Sequence, residues 1–284
     1  MKEMAESAKE AVAYLGPEGT FSEQAARKYF QNPTTRLLPR QTIADVFTAV
    51  KEGKATYGVV PLENSLQGSE RTTLDLLLQS NLKVMGEVDI RVVHNLIVRP
   101  GTKEEDIRVV LSHPQALAQC RSFLEKRFPR VELKETSSTA RAVELLKELE
   151  DAGAIGTEMA AERYGMKILS RGIEDDPNNF TRFFVLGSED AAPTGWDKTS
   201  LIFSVKDEPG ALYRVLEAFA TRDINLTKVE SRPERGKPWK YIFYLDFEGH
   251  RTEARSMEAL KDMAERCIFV KTLGSYPRAS NNST

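Results

Sequence analysis

"KVMGEVDIRVVHNLIVRPG", Lys83 to Gly101, is the stretch on which the fold turns. It is apolar, rich in β-branched residues and without a helical period, so it reads as extended chain of unusual length. On either side, short apolar runs alternate with helical ones. Before it come "AVAYLG", "SEQAARKYF" behind a serine cap, "TRLLP", "TIADVFTAVKEG" and "YGVVPLE". After it come "DIRVVLSH", "PQALAQCRSFLEKRF", "VELKET", "TARAVELLKELE", "AGAIGT", "EMAAERYG" and "KILSRGI". Strand alternating with helix predicts a mostly parallel sheet covered on both faces. An over-long strand inside that alternation predicts a crossover between two lobes, and "MKILSRGIEDDPNNF" predicts the return. Residues 10–188 are thus expected to form two small α/β lobes with a cleft between them, with crossings near 83–100 and 167–180. A single continuous sheet is the alternative.

"SEDAAPTGWDK", Ser188 to Lys198, has the small, polar, Pro/Gly-containing composition of a linker. Beyond it, over residues 198–277, the pattern becomes "TSLIFSV", "GALYRVLEAFATRD", "INLTKVESRPE", "KYIFYLDFEG", "SMEALKDMAER" and "IFVKTLGSY". The order strand–helix–strand–strand–helix–strand predicts a ferredoxin-like domain with both helices on one face. A length of 284 residues agrees with about two domains.

Composition excludes several classes. Lys plus Arg number 40 and Asp plus Glu 42, for a net charge of −2, so no global field draws the chain to nucleic acid or an anionic membrane. No apolar run reaches the roughly eighteen residues of a membrane span, and "MKEMAESAKEAVAYLG" has no apolar signal core. Two distant cysteines, Cys120 and Cys267, make no disulfide framework and suit a reducing cytoplasm. His94, His113 and His250 have no ligand spacing, so no metal is expected. Glycine spacing matches neither the dinucleotide fingerprint nor the phosphate loop.

Four junctions beyond strand ends share a chemistry. "GPEGTFSEQ" sets Gly16, Gly19, Thr20 and Ser22 before a helix, and "LSHPQAL" sets Ser112 and His113 before Pro114. "ETSSTARAV" sets Ser137, Ser138 and Thr139 at a helix start, while "PLENSLQGS" adds Asn64, Ser65, Gln67, Gly68 and Ser69. Free amides and hydroxyls at such places bind carboxylates and phosphates. Each junction alone is equally an ordinary cap; four together point to a small polyanionic ligand. In "DPNNFTRFFVLG", Thr181, Phe183 and Val185 share one strand face, and Phe180, Arg182 and Phe184 the other. Thr181 is then a lone hydroxyl at the edge of an apolar wall, able to donate to an oxygen acquiring charge. A plain strand residue is the other reading.

"NNFTRFFVLG", "YLGPEGTFSEQAA", "YGVVPLENSLQGS" and "SHPQALAQC" resemble, in order, the motifs of prephenate dehydratases. "EPGALYRVLEAFATRDINLTKVESRP" is similar to the phenylalanine-binding ACT domain of the same enzymes. The resemblance implies a two-lobed, periplasmic-binding-protein-like α/β catalytic domain plus a ferredoxin-like ACT domain. It also implies conversion of prephenate to phenylpyruvate, water and carbon dioxide without a cofactor, inhibition by L-phenylalanine, and assembly as a homodimer or homotetramer.

By the same resemblance, Thr181 assists the departing hydroxyl, with Arg182 and Phe183 as its motif partners. Asn64, Ser65, Ser112, Gln115, Ser138, Thr139 and Asn179 hold the substrate, and Phe180 packs near the wall. Gly210, Ala211, Leu212, Asn225, Leu226, Glu230 and Ser231 form the L-phenylalanine site. Arogenate dehydratase, and a non-catalytic carboxylate-binding sensor, are the rival readings.

Overall fold

The computed structural model describes residues 10–234 and 240–279; the start of the N-terminal stretch read for a leader and the end of the polar tail lie outside them. The chain forms two compact units. The described residues up to Arg71 and Val88–Phe183 make the first, and Thr72–Glu87 with the described residues from Phe184 onward make the second.

Two sheets underlie the first unit. The chain runs β1 (Ala11–Leu15), α1 (Phe21–Tyr29), β2 (Arg36–Arg40), α2 (Ile43–Lys51), β3 (Tyr57–Asn64), β4 (Gly68–Ser69), α3 (Arg71–Gln79) and β5 (Lys83–Arg91). It continues through β6 (Asn95–Val98), β7 (Val109–Ser112), α4 (Pro114–Gln119), α5 (Arg121–Arg127), β8 (Glu132–Glu135), α6 (Thr139–Leu145), β9 (Ala152–Gly156), α7 (Glu158–Tyr164), β10 (Lys167–Ser170) and β11 (Phe180–Gly187). One sheet has the order β2-β1-β3-β11-β5, the other β10-β6-β9-β7-β8. The long stretch from Lys83 is therefore two strands in two different sheets, and the chain comes back to the first sheet after Ser170.

Pairing follows from connectivity. β1 runs parallel to β2 and β3, as helix-linked strands do. β6 is reached directly from β5 with no helix between, and it pairs antiparallel with both β9 and β10. The second sheet is covered on both faces: along β6, Leu96 and Val98 enter one apolar cluster and Ile97 the other.

The two sheets of the first unit are tied where α1 begins. The helix starts at Phe21, one residue before the serine read as its cap; Thr20 is the N-cap, accepting from the Glu23 amide. Gly19 adopts φ +85°, and a β-carbon there would stand 3.0 Å from Ala160 of α7. That close approach lets Thr157 donate to the Gly19 carbonyl at 2.6 Å. Beside it, the Glu23 carboxylate is 1% exposed and accepts from Gly19 N–H, Arg27 and Arg163, while Arg163 also pairs with Glu18. Burial raises the Glu23 carboxyl, but the Gly19 hydrogen bond and the Arg27 and Arg163 guanidinia outweigh it and the net shift is downward.

In the second unit come β12 (Asp197–Ser204), α8 (Ala211–Ala220), β13 (Leu226–Pro233), β14 (Tyr241–Glu248), α9 (Ala254–Arg266) and β15 (Phe269–Pro277), with sheet order β13-β14-β12-β15 and every pair antiparallel. This is the ferredoxin-like arrangement, packed on Phe203, Val215, Phe219, Leu245, Phe247 and Met263. The sequence reading assigned no element to residues 71–79, where α3 stands. Tyr244 donates to the Leu74 carbonyl, and Lys271 donates to the carbonyls of Leu77, Leu78 and Ser80. The ammonium thus satisfies carbonyls at and just beyond the C-terminus of α3. Among the described residues no helix is long and apolar enough to cross a membrane.

Glu23→Gln removes the charge that holds two arginines and is expected to lower stability by about 2 kcal/mol, discounted because both guanidinia are partly exposed. Urea unfolding of the variant beside wild type measures it; equal midpoints would deny the carboxylate this role.

Candidate active site

A cleft of about 940 Å³ opens in the first unit, lined from both of its sheets. One wall carries Gly16, Thr20, Arg40, Asn64, Gln67, Gly68, Thr181 and Phe183. The other carries His94, His113, Gln115, Gln119, Ser137, Ser138 and Thr139. Alternation along β11 sends Thr181 and Phe183 to the cleft together, as the strand period requires.

Thr181 is held by one neighbour. Asn64, at the end of β3, accepts at Oδ1 from the amides of Leu66 (3.1 Å) and Gln67 (3.2 Å). Its Nδ2 donates to Asn179 Oδ1 (2.7 Å), the Phe180 carbonyl (3.1 Å) and Thr181 Oγ1 (3.0 Å). Because Thr181 Oγ1 accepts from Asn64, its own hydrogen is left for another acceptor. None is found among the described residues, and the cleft lies in front of it.

Several expected ligands of a substrate turn out to serve the protein. Ser112 is fully buried, and its hydroxyl donates to the Ile155 carbonyl at 2.7 Å, across neighbouring strands. Ser65 accepts from Phe180 N–H and donates to the Asn178 carbonyl, stapling the turn after β3 to the start of β11. Asn179 is also fully buried and links Asn64 to Gln119. Arg182, expected on the opposite strand face either to fix the strand or to meet a carboxylate of the substrate, is absent from the cleft lining and pairs with Glu63 of the neighbouring strand at 3.0 Å. Phe180 is 43% exposed and does not line the cleft. Ser138 reaches the cleft, but its hydroxyl caps α6 by accepting from Arg141 N–H. Gln115 and Thr139 remain as cleft donors, and the Gln115 side chain makes no hydrogen bond among the described residues.

Three residues escaped the sequence reading. Arg40 ends β2 in the cleft with no carboxylate partner among the described residues, whereas Arg141 is paired with Glu144. It directly follows the run "TRLLP", and nothing in the local sequence marks it. His94 and Gln119 line the cleft and bond to each other at 2.9 Å; their 25-residue separation hides that contact in the sequence. Burial holds both His94 and His113 below the ordinary histidine range, against the weaker opposite effects of Gln119 and Glu174 on the first and of Glu135 on the second.

The residues expected to hold L-phenylalanine fall into two groups. Gly210, in the left-handed region at φ +78°, precedes Ala211 and Leu212 at the start of α8. Strand register puts Ser231 level with Phe243 and Phe203, at the same end of the sheet. Leu226 is level with Phe247 and Thr199, so Asn225 and Leu226 sit at the opposite end. Glu230 pairs with Lys228 at 3.0 Å.

Fold and cleft together define a two-lobed α/β protein built to hold a small anion, carried with a ferredoxin-like domain. The prephenate dehydratase family model matches residues 12–191, and the ACT domain model residues 199–265. The chain belongs to the prephenate dehydratase family, whose members are hydro-lyases of aromatic amino-acid biosynthesis. It is 49% identical over 268 residues to a bifunctional chorismate mutase/prephenate dehydratase of Aquifex aeolicus, covering 94% of this chain and 74% of that one. To a prephenate dehydratase of Methanocaldococcus jannaschii it is 42% identical over 276 residues, covering 94% and 98%. A solved prephenate dehydratase from Arthrobacter aurescens, in complex with L-Phe, superposes with a TM-score of 0.88 at 32% identity, covering 96% and 92%.

The two depressed histidines fix a sign for pH. Below about 6.5 the unfolded chain takes up protons that the folded one refuses, so stability is full above that value and falls as pH drops through it. Melting temperature is expected to fall from about pH 6.5 downward, and less steeply in His94→Phe. An unchanged slope in that variant would remove His94 as a source.

Proposed function

We propose that this chain eliminates carbon dioxide and water from prephenate to give phenylpyruvate, and that L-phenylalanine inhibits it through the second unit. One observation carries the chemistry: Asn64 donates to Thr181, which leaves the Thr181 hydroxyl hydrogen facing the cleft. In the reaction the bond from ring to carboxylate breaks and releases carbon dioxide. Its electron pair passes through the ring, which becomes aromatic, and expels the hydroxyl on the far carbon. Prephenate is a dianion and phenylpyruvate a monoanion; the departing hydroxide takes a proton and leaves as water. A donor aimed at that oxygen stabilises the charge developing on it.

The charge pattern of the cleft suits this substrate. Tight pairing of a cation with the ring carboxylate would stabilise the ground state of a group that must lose its charge, and so oppose the reaction. Arg40 therefore belongs with the pyruvyl carboxylate, which persists into product, while neutral donors such as Gln115 and Thr139 orient the rest. Three carboxylates lining the cleft are paired with arginines, Glu18 with Arg163, Glu63 with Arg182 and Glu144 with Arg141, and so are poorly suited to receive the ammonium group that distinguishes arogenate, which supports the keto substrate. We place the enzyme in the cytoplasm, in keeping with two unpaired cysteines.

For the effector, Gly210–Leu212 and Glu230–Ser231 offer amides and polar side chains at one end of the ferredoxin-like sheet, and Asn225 lies at the other. A ligand touching all of them draws Asn225 from a second chain, so the reading includes pairing into a homodimer or homotetramer. Inhibition then follows if L-phenylalanine binds better to an arrangement that holds substrate poorly.

Phenylpyruvate absorbance after adding prephenate is the primary test; its absence in the folded full chain would refute the reading. Thr181→Ala is expected to lower kcat by about 10²–10³ with KM little changed. Arg40→Gln is expected to raise KM at least about tenfold while kcat stays within a few-fold, as for a contact made equally in ground and transition states. A loss confined to kcat in Arg40→Gln would move that residue to the reacting end.

A further inference from the structure

We propose that His94, Gln119 and Asn179 are positioning residues for this reaction, forming with Asn64 a single hydrogen-bonded chain whose fixed direction turns the Thr181 proton into the cleft. The inference rests on the dehydratase reading above and adds to it residues that do not touch the substrate's departing oxygen.

The direction is set by backbone. The amides of Leu66 and Gln67 can only donate, so the Asn64 atom facing them is oxygen. The Phe180 carbonyl can only accept, so the Asn64 atom facing it is nitrogen. Two independent constraints agree on one side chain. Polarity then propagates. Asn179 Oδ1 accepts from Asn64, which leaves Asn179 Nδ2 to donate to Gln119 Oε1 at 3.0 Å. Gln119 Oε1 is thereby an acceptor, so the His94 Nε2 lying 2.9 Å away carries the hydrogen. His94 is 2% exposed and Asn179 fully buried, so water is kept from these two members of the chain, while Asn64 and Gln119 are half-buried. His94 Nδ1 has no hydrogen-bond partner, as expected of a neutral ring holding its only proton on Nε2.

At the other end, the remaining hydrogen of Thr181 has no acceptor in the protein among the described residues, and it borders the cleft. If Gln119 no longer accepts, the Asn179 amide nitrogen loses its partner and only the bond from Asn64 still opposes its turning over. A turned Asn179 presents nitrogen to the Asn64 nitrogen, and the grip on Thr181 Oγ1 loosens. The chain therefore acts through Thr181 or not at all.

That condition gives the test, a double-mutant cycle on the full chain with prephenate. Gln119→Met keeps the shape and removes the acceptor. His94→Phe removes the donor and keeps the edge-on ring contact with Phe21, serving if the first variant does not fold. Each is expected to lower kcat about tenfold with KM within about twofold, and to cause no further loss in a Thr181→Ala background. Gln119→Glu, whose carboxylate accepts from both neighbours, is expected to restore kcat to within about threefold of wild type. The same proportional loss with and without the Thr181 hydroxyl would show a merely structural role and overturn the proposal. So would unchanged kcat in both single variants. A wild-type chain that does not consume prephenate would instead sink the underlying reading, and the proposal with it.

Discussion

The carboxamide of Asn64 is the contact on which the site depends. A side chain with one acceptor and one donor group has no preferred direction until something else fixes it, and here two backbone amides and one backbone carbonyl do so. What makes those backbone groups available is the sheet order. β3 and β11 are neighbours, so the turn leaving one and the loop entering the other meet at the same edge. Ser65 closes that edge by bonding both the amide of Phe180 and the carbonyl of Asn178. The Thr181 hydroxyl is thus held by a neighbour that is itself held by backbone, the preorganisation on which the proposed role of Thr181 rests.

The rest of the cleft is consistent with a reaction that destroys a charge. Fixed cations near the reacting carboxylate would lose their partner as carbon dioxide leaves, and the stabilisation lost would add to the barrier. The arginines near the cleft are largely spent on protein carboxylates, Arg163 on Glu18 and Glu23, Arg182 on Glu63 and Arg141 on Glu144. Arg40 stands apart from them. It has no carboxylate partner among the described residues, which is why the proposed reading gives it the carboxylate that persists into product.

The sequence revealed the architecture better than the roles of its polar residues, for a physical reason. Period-two alternation along "FTRFFVL" is a local property, and it correctly put Thr181 and Phe183 on one face and Arg182 on the other. The extended run from Lys83 is likewise local, and its excess length marked the passage between sheets. A polar residue at a strand end has two uses, to face a ligand or to satisfy a buried backbone group, and nothing local distinguishes them. Ser112 meets the Ile155 carbonyl 43 positions away, and Asn179 meets Asn64 across 115. Arg40 is recognisable only by the absence of a partner, which requires every neighbour to be known. Helix α3 is hard to see in the sequence because "RTTLDLLLQ" opens with two threonines; part of what stabilises it lies on β14 and β15.

The chain crosses the boundary between the units after Arg71, Glu87 and Phe183. Two of these points adjoin the cleft. Gln67 to Glu70 line it immediately before α3 begins, and Thr181 and Phe183 line it immediately before β11 passes into the second unit. On the far side of the first point, α3 is gripped by Tyr244, Lys271 and Arg232, the last through Asp75.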